Sequence, residues 1–112
     1  FLHLLERAVA LARGRADRVL VLSIPDWGAT PFGAASGRGL QRIADELDTY
    51  NAAAHAICDS HGVAFVEVTD LSRRHAGEAP MLVEDGLHPS AAMYAQWTRR
   101  ALPVAIRLLQ DA

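Results

Sequence analysis

Apolar residues recur along the chain at two different spacings. Leu2, Leu5, Val9 and Ala12 fall three or four apart, one stripe of an α-helix, and Gly14 is placed to end it. Val19-Leu20-Val21-Leu22-Ser23-Ile24 is instead a nearly unbroken apolar run, the pattern of a strand covered on both faces in a parallel sheet between helix layers. Residues 27–38 hold three glycines, Pro31 and Phe32 without periodicity, and read as a loop. Leu40, Ile43, Leu47, Tyr50, Ala54 and Ile57 then mark a long amphipathic helix ending near Gly62. A second strand follows at Val63-Ala64-Phe65-Val66-Glu67-Val68. Residues 69–89 are irregular except for a turn of helix at about 71–75. A last helix begins near Ser90, with Met93, Trp97, Ala101, Val104 and Leu108 on one face, and Pro103 predicts a kink or break in it.

The order helix, strand, helix, strand, helix implies α/β architecture with a right-handed parallel crossover. Two strands alone hardly make a stable parallel sheet, yet both runs have the composition of interior strands. Further strands are therefore expected to precede Phe1, with residues 1–112 forming the C-terminal part of a single larger α/β domain. Without them the first strand leaves an apolar edge that invites self-association.

Composition narrows the function. At 51% hydrophobic and 21% charged residues the 112-residue chain can bury a core, and no apolar run approaches the roughly 20 residues of a membrane span. A net charge of -2 argues against a nucleic-acid partner held through its phosphates. The single cysteine, Cys58, can form neither an internal disulfide nor a cysteine-built zinc site. His55, Cys58 and His61 lie on one helix but span six positions that point to different sides, so no metal site is expected from them.

Ligands of open parallel sheets bind beyond the carboxyl ends of the strands, which directs attention to the loops at 25–38 and 69–89. The second contains Asp85-Gly86-Leu87-His88-Pro89. An Asp and a His three residues apart across a glycine can fold so that the carboxylate holds one ring nitrogen, leaving the other as a base. Pro89 favours extended backbone at His88. The same residues also fit a simple Asp-Gly turn before a helix. Trp27 and Phe32, aromatic residues on the first loop, can line a substrate pocket or anchor the loop on the core. Asp26 and Asn51 read as structural, Arg73-Arg74 as a solvated pair and Ser90 as a helix N-cap. No GxSxG elbow surrounds Ser23 or Ser36.

The run DGLHPS followed by MYAQW resembles the last block of the SGNH hydrolases, the GDSL-type esterases and lipases. VLVLSIPDWGATPFG, the helix with TYN, and VAFVEVT are similar to that family's later elements. The resemblance implies a three-layer αβα flavodoxin-like fold with a parallel sheet. It implies that His88 is the general base and Asp85 its orienting partner. It also implies a serine nucleophile in a GDS-type motif, with glycine and asparagine oxyanion donors, and none of these blocks occurs in the 112 residues. The expectation is a serine ester hydrolase needing no metal or organic cofactor. Its substrate would be a small-molecule, lipid or sugar ester, and its necessary partner the N-terminal part of the same polypeptide. The fragment alone is expected to be inactive. The competing reading is a non-catalytic flavodoxin-like binding or interaction domain in which Asp85 and His88 are structural. A nucleotide-binding version lacks both a GxGxxG after the first strand and a P-loop.

Overall fold

The computed structural model describes residues 1–75 and 78–110, so Ala76 and Gly77 of the second predicted loop lie outside the described residues. Helix α1 (Leu2–Leu11) ends as its glycine predicts. Gly14 adopts φ +77°, and its N–H returns to the Val9 carbonyl at 2.9 Å. A short 3-10 turn leads into β1 (Leu20–Leu22), and the long helix α3 (Leu40–Ser60) then carries the chain to β2 (Ala64–Val66). The turn into β2 uses Gly62 at φ +71°, where a side chain would be strained. The two strands pair in parallel, Leu20 opposite Ala64 and Leu22 opposite Val66. Both are shorter than the apolar runs that encode them. Ser23 N–H still reaches the Val66 carbonyl at 3.0 Å, and past it the carboxyl ends bond through side chains instead.

Alternation along the strands divides the core in two. Val21 and Phe65 face Leu5, Val9, Ile57 and Cys58, which places α1 and α3 on one side. Leu20 and Val66 face Leu71, Met93 and Trp97 on the other side, brought by α4 (Thr69–Arg74) and α5 (Ala91–Gln110). The protein is thus α/β with helices on both faces of a small parallel sheet. At the free margin of β1, however, Leu22 and Ile24 remain 38% and 39% exposed, so the expectation of a strand covered on both faces fails there. Among the described residues no other strand pairs with that margin. Leu20, Leu22, Tyr94, Ala101 and Leu102 line an open apolar trough along it.

Three other expectations need correction. The predicted loop at 27–38 contains a 3-10 turn (Trp27–Ala29) and a helix, α2 (Pro31–Ala35). Pro31 sits at the start of α2, where its missing N–H costs nothing, and the Thr30 hydroxyl accepts from Gly33 N–H at 3.1 Å as a cap. In α3 the buried stripe is Ile43, Asn51, Ala54 and Cys58, while Leu40 and Tyr50 are exposed. Helix α5 runs through Pro103, so of the expected kink or break the break does not occur; both Pro103 and Arg99, whose carbonyl loses its usual partner, are exposed to solvent.

Asn51 turns inward to serve the strand ends. Its Oδ1 accepts from Ile24 N–H at 2.9 Å, and its Nδ2 donates to the Ile24 carbonyl and to Thr69 Oγ1, each at 3.2 Å. The buried Ser23 hydroxyl accepts from the N–H groups of Val68 (2.8 Å) and Thr69 (3.1 Å). The structural reading of Asn51 therefore agrees with its contacts. Replacing Ser23 with alanine strands two buried amides. Urea denaturation is expected to show a loss of about 2–4 kcal/mol, taking roughly 1–2 kcal/mol for each unsatisfied group.

Candidate functional site

The Asp85–His88 segment is the tip of a loop that closes on itself before it touches anything else. Leu82 and Pro89 form an antiparallel bridge, Val83 N–H donates to the His88 carbonyl at 2.9 Å, and Ser90 N–H donates to the Met81 carbonyl at 2.9 Å. Within this frame Gly86 N–H returns to the Val83 carbonyl at 3.0 Å, and Gly86 adopts φ +67°. Ser90 precedes α5, as an N-cap would, and its hydroxyl donates to the Pro80 carbonyl at 2.5 Å, which anchors the loop.

Asp85 divides its two oxygens between backbone and ring. Oδ1 accepts from the N–H groups of Leu87 (2.9 Å) and His88 (3.0 Å), while Oδ2 accepts from His88 Nδ1 at 2.5 Å. A proton on Nδ1 leaves Nε2 with its lone pair, the tautomer of a general base. The imidazole is 69% exposed, so Nε2 is open to a reacting group. The pair predicted from spacing alone is therefore in contact. The hydrogen bond from His88, followed by the two backbone N–H groups, lowers the Asp85 pKa to about 2.

The aromatic residues predicted for a pocket lie beside this loop. The rings of Trp27 and Phe32 are 6.3 Å apart and tilted, and with Leu87, Ser36 and Arg38 they line a shallow depression. Trp27 and Leu87 also border a small apolar cavity of about 40 Å³ whose other walls include Leu82, Met93 and Trp97. Phe32 is half-exposed on α2.

Other hydroxyls and the thiol are committed elsewhere. Ser36 Oγ donates to the Gly33 carbonyl at 2.6 Å, Ser23 belongs to the strand-end network, and burial pushes the Cys58 thiol pKa up. His55 stacks on Phe65 with centroids 4.6 Å apart. Among the described residues no three His, Cys, Asp or Glu side chains are grouped to hold a metal ion. No described helix is long and apolar enough to cross a membrane.

Two contributors escaped the sequence reading. Arg73, expected to be a solvated residue, donates to buried Asp26 at 2.8 Å and to Asp48 at 2.9 Å. The Asp26 hydrogen bond is the main reason the Arg73 pKa is raised. Phe32 contributes its backbone as well as its ring, since its N–H donates to the Gly86 carbonyl at 3.3 Å. No local pattern announces either contact, because the partners lie 47 and 54 positions apart.

The Asp85 shift gives a direct test. A depressed carboxyl adds stability above its unfolded value of about 3.9, and that contribution is lost as pH falls through about 2. Carbon-detected NMR titration is expected to place the Asp85 midpoint near 2. In His88→Ala the midpoint should rise toward, but not reach, the ordinary value, because the two backbone donors remain.

No curated protein and no solved structure matches the chain. A family model does, over residues 2–96, a span that includes both strands, the first four helices and the whole Asp85–His88 loop. The chain belongs to the GDSL-like lipase/acylhydrolase family.

Proposed function

We propose that this chain supplies the base and its orienting carboxylate to a serine ester hydrolase. Membership of an acylhydrolase family supports hydrolase activity in general. The observation that carries the finer reading is the Asp85 carboxylate, fixed by two amides and bonded to His88 Nδ1 at 2.5 Å while the ring stays open. In the proposed reaction a serine hydroxyl gives its proton to His88 Nε2 as its oxygen bonds to the ester carbonyl carbon. Collapse of the tetrahedral intermediate breaks the bond to the alcohol oxygen, which takes that proton back from the imidazolium. Water then repeats the sequence on the acyl-enzyme and releases the acid. Asp85 stays ionised throughout and stabilises the imidazolium. Trp27 and Phe32 form the substrate shelf.

On this reading residues 1–112 are the C-terminal part of one three-layer αβα domain of flavodoxin type. The serine and the oxyanion donors come from polypeptide that pairs with the free margin of β1, where Leu22 and Ile24 are exposed. The isolated chain therefore lacks a nucleophile at His88 and should not turn over esters.

The intact polypeptide is expected to hydrolyse p-nitrophenyl acetate and to label with a fluorophosphonate. His88→Ala should lower kcat by roughly 10³-fold or more. Asp85→Asn should act similarly, because an amide N–H facing Nδ1 selects the wrong tautomer. Steady-state kinetics on folded variants check this, and full activity in His88→Ala would remove the mechanism.

A further inference from the structure

A run of close contacts connects the Asp85–His88 loop to an ion pair on the far side of α2. The Asp26 carboxylate is buried. Its Oδ2 takes Arg73 Nε at 2.8 Å and its Oδ1 takes Gly28 N–H at 3.0 Å, which pins the 3-10 turn at Trp27–Ala29. Arg73 is itself held by Asp48 at 2.9 Å, and Asp26 N–H donates to Ser72 Oγ at 2.8 Å. Helix α2 rests on that turn backbone to backbone. A Cβ on Gly33 would lie 2.4 Å from the Trp27 carbonyl oxygen and 2.5 Å from Gly28 Cα. Below the turn, a Cβ on Gly28 would lie 2.7 Å from Ile43 Cγ2, so the turn is wedged against α3. At its other end α2 reaches the tip of the loop. Phe32 N–H donates to the Gly86 carbonyl at 3.3 Å, and Pro31 Cβ lies 3.4 Å from where a Gly86 Cβ would be.

A packed interior transmits a displacement rather than absorbing it. The Asp85–His88 hydrogen bonds are internal to their loop, so α2 does not build the pair. It sets where the finished pair points. We infer that Arg73 is a positioning residue: by holding Asp26 it fixes α2, and through the Phe32–Gly86 contact α2 aims His88 and presents the Trp27–Phe32 shelf. The catalytic consequence rests on the proposed function, whereas the mechanical link from Arg73 to Gly86 does not.

The test uses the intact polypeptide carrying Arg73→Met, Arg73→Lys or Gly33→Ala, each first shown to be folded by circular dichroism. Two quantities are read. One is hydrogen exchange of the Phe32 amide, and the other is kcat and KM for p-nitrophenyl acetate, which is too small to depend on the aromatic shelf. In Arg73→Met the Phe32 amide is expected to exchange faster, with kcat falling roughly ten- to a hundredfold and KM little changed. Arg73→Lys, which can meet Asp26 but not Asp48 as well, should fall between. Gly33→Ala disturbs the same link from α2 and leaves the ion pair in place. It should reproduce both effects, and Arg73→Lys decides the matter for Arg73 if Arg73→Met does not fold. Unchanged Phe32 exchange in the deciding variant overturns the link, and unchanged kcat overturns the positioning role. An inactive wild type would instead remove the proposed function, and the positioning role with it, a failure identified before any variant is measured.

Discussion

Strands β1 and β2 are three residues long and share one short ladder, so their register depends on what happens just beyond their carboxyl ends. There the Ser23 hydroxyl accepts two amides from the chain leaving β2 and lies 2.8 Å from Thr69 Oγ1. Thr69 Oγ1 donates to the Ile24 carbonyl at 2.7 Å, which fixes Ser23 as the donor between the two hydroxyls. Asn51 bonds to both polar groups of the Ile24 backbone. Every side-chain donor in this buried group has an acceptor, the condition under which such a network adds definition to a core instead of weakening it. Both loops that matter depart from this point. One leads through Asp26 and Trp27 into α2 with Phe32, and the other opens with α4, which carries Ser72 and Arg73. A slip in strand register would separate Asp26 from Ser72 and Arg73, and α2 would lose the turn on which it rests.

The Asp85–His88 pair obeys a different logic. Its loop is exposed and cannot rely on burial to hold an orientation. Asp85 therefore secures its own turn with one oxygen before it holds the imidazole with the other. Gly86 is hard to replace because its φ of +67° strains any side chain, although a Cβ there would meet Pro31 only at ordinary van der Waals distance. The loop is thus both self-supporting and docked, and only the docking depends on the remote ion pair.

Legibility in the sequence followed the range of the interactions. The periodic stripes of α1, α3 and α5 and the two apolar runs are local signals, and each produced the expected element, with strands shortened where polar networks replace the ladder. Asp85 and His88 were legible because three residues and a glycine suffice to bring them together. Helix α2 was obscured by the residues that create it. Pro31 and Gly33 look like breakers, yet Pro31 begins the helix and Gly33 allows the close approach to the Trp27 carbonyl. Asn51 reads as structural, but its partners, the Ile24 backbone just beyond β1 and the Thr69 hydroxyl, are ones that no pattern on α3 can reveal. Arg73 looks like a solvated partner of Arg74, whereas its contacts are decided by Asp26, 47 positions earlier.

The exposed margin of β1 and the open Nε2 of His88 are two aspects of one geometric requirement in the proposed enzyme. Parallel strands share a direction, so a strand added in parallel to β1 would deliver its carboxyl end on the same side as those of β1 and β2. That is the side from which the Trp27–Phe32 segment emerges, and the Asp85–His88 loop touches it through the Phe32–Gly86 contact. In the proposed enzyme a serine following such a strand would emerge on the side of the sheet that the imidazole loop touches. An antiparallel strand on the same edge would place its carboxyl end at the opposite pole of the sheet. The apolar trough of Leu22, Tyr94 and Leu102 would be covered equally well in either case. Hydrophobic burial alone therefore cannot choose between the two. The choice falls to strand polarity, and only the parallel arrangement gives the base a nucleophile to serve.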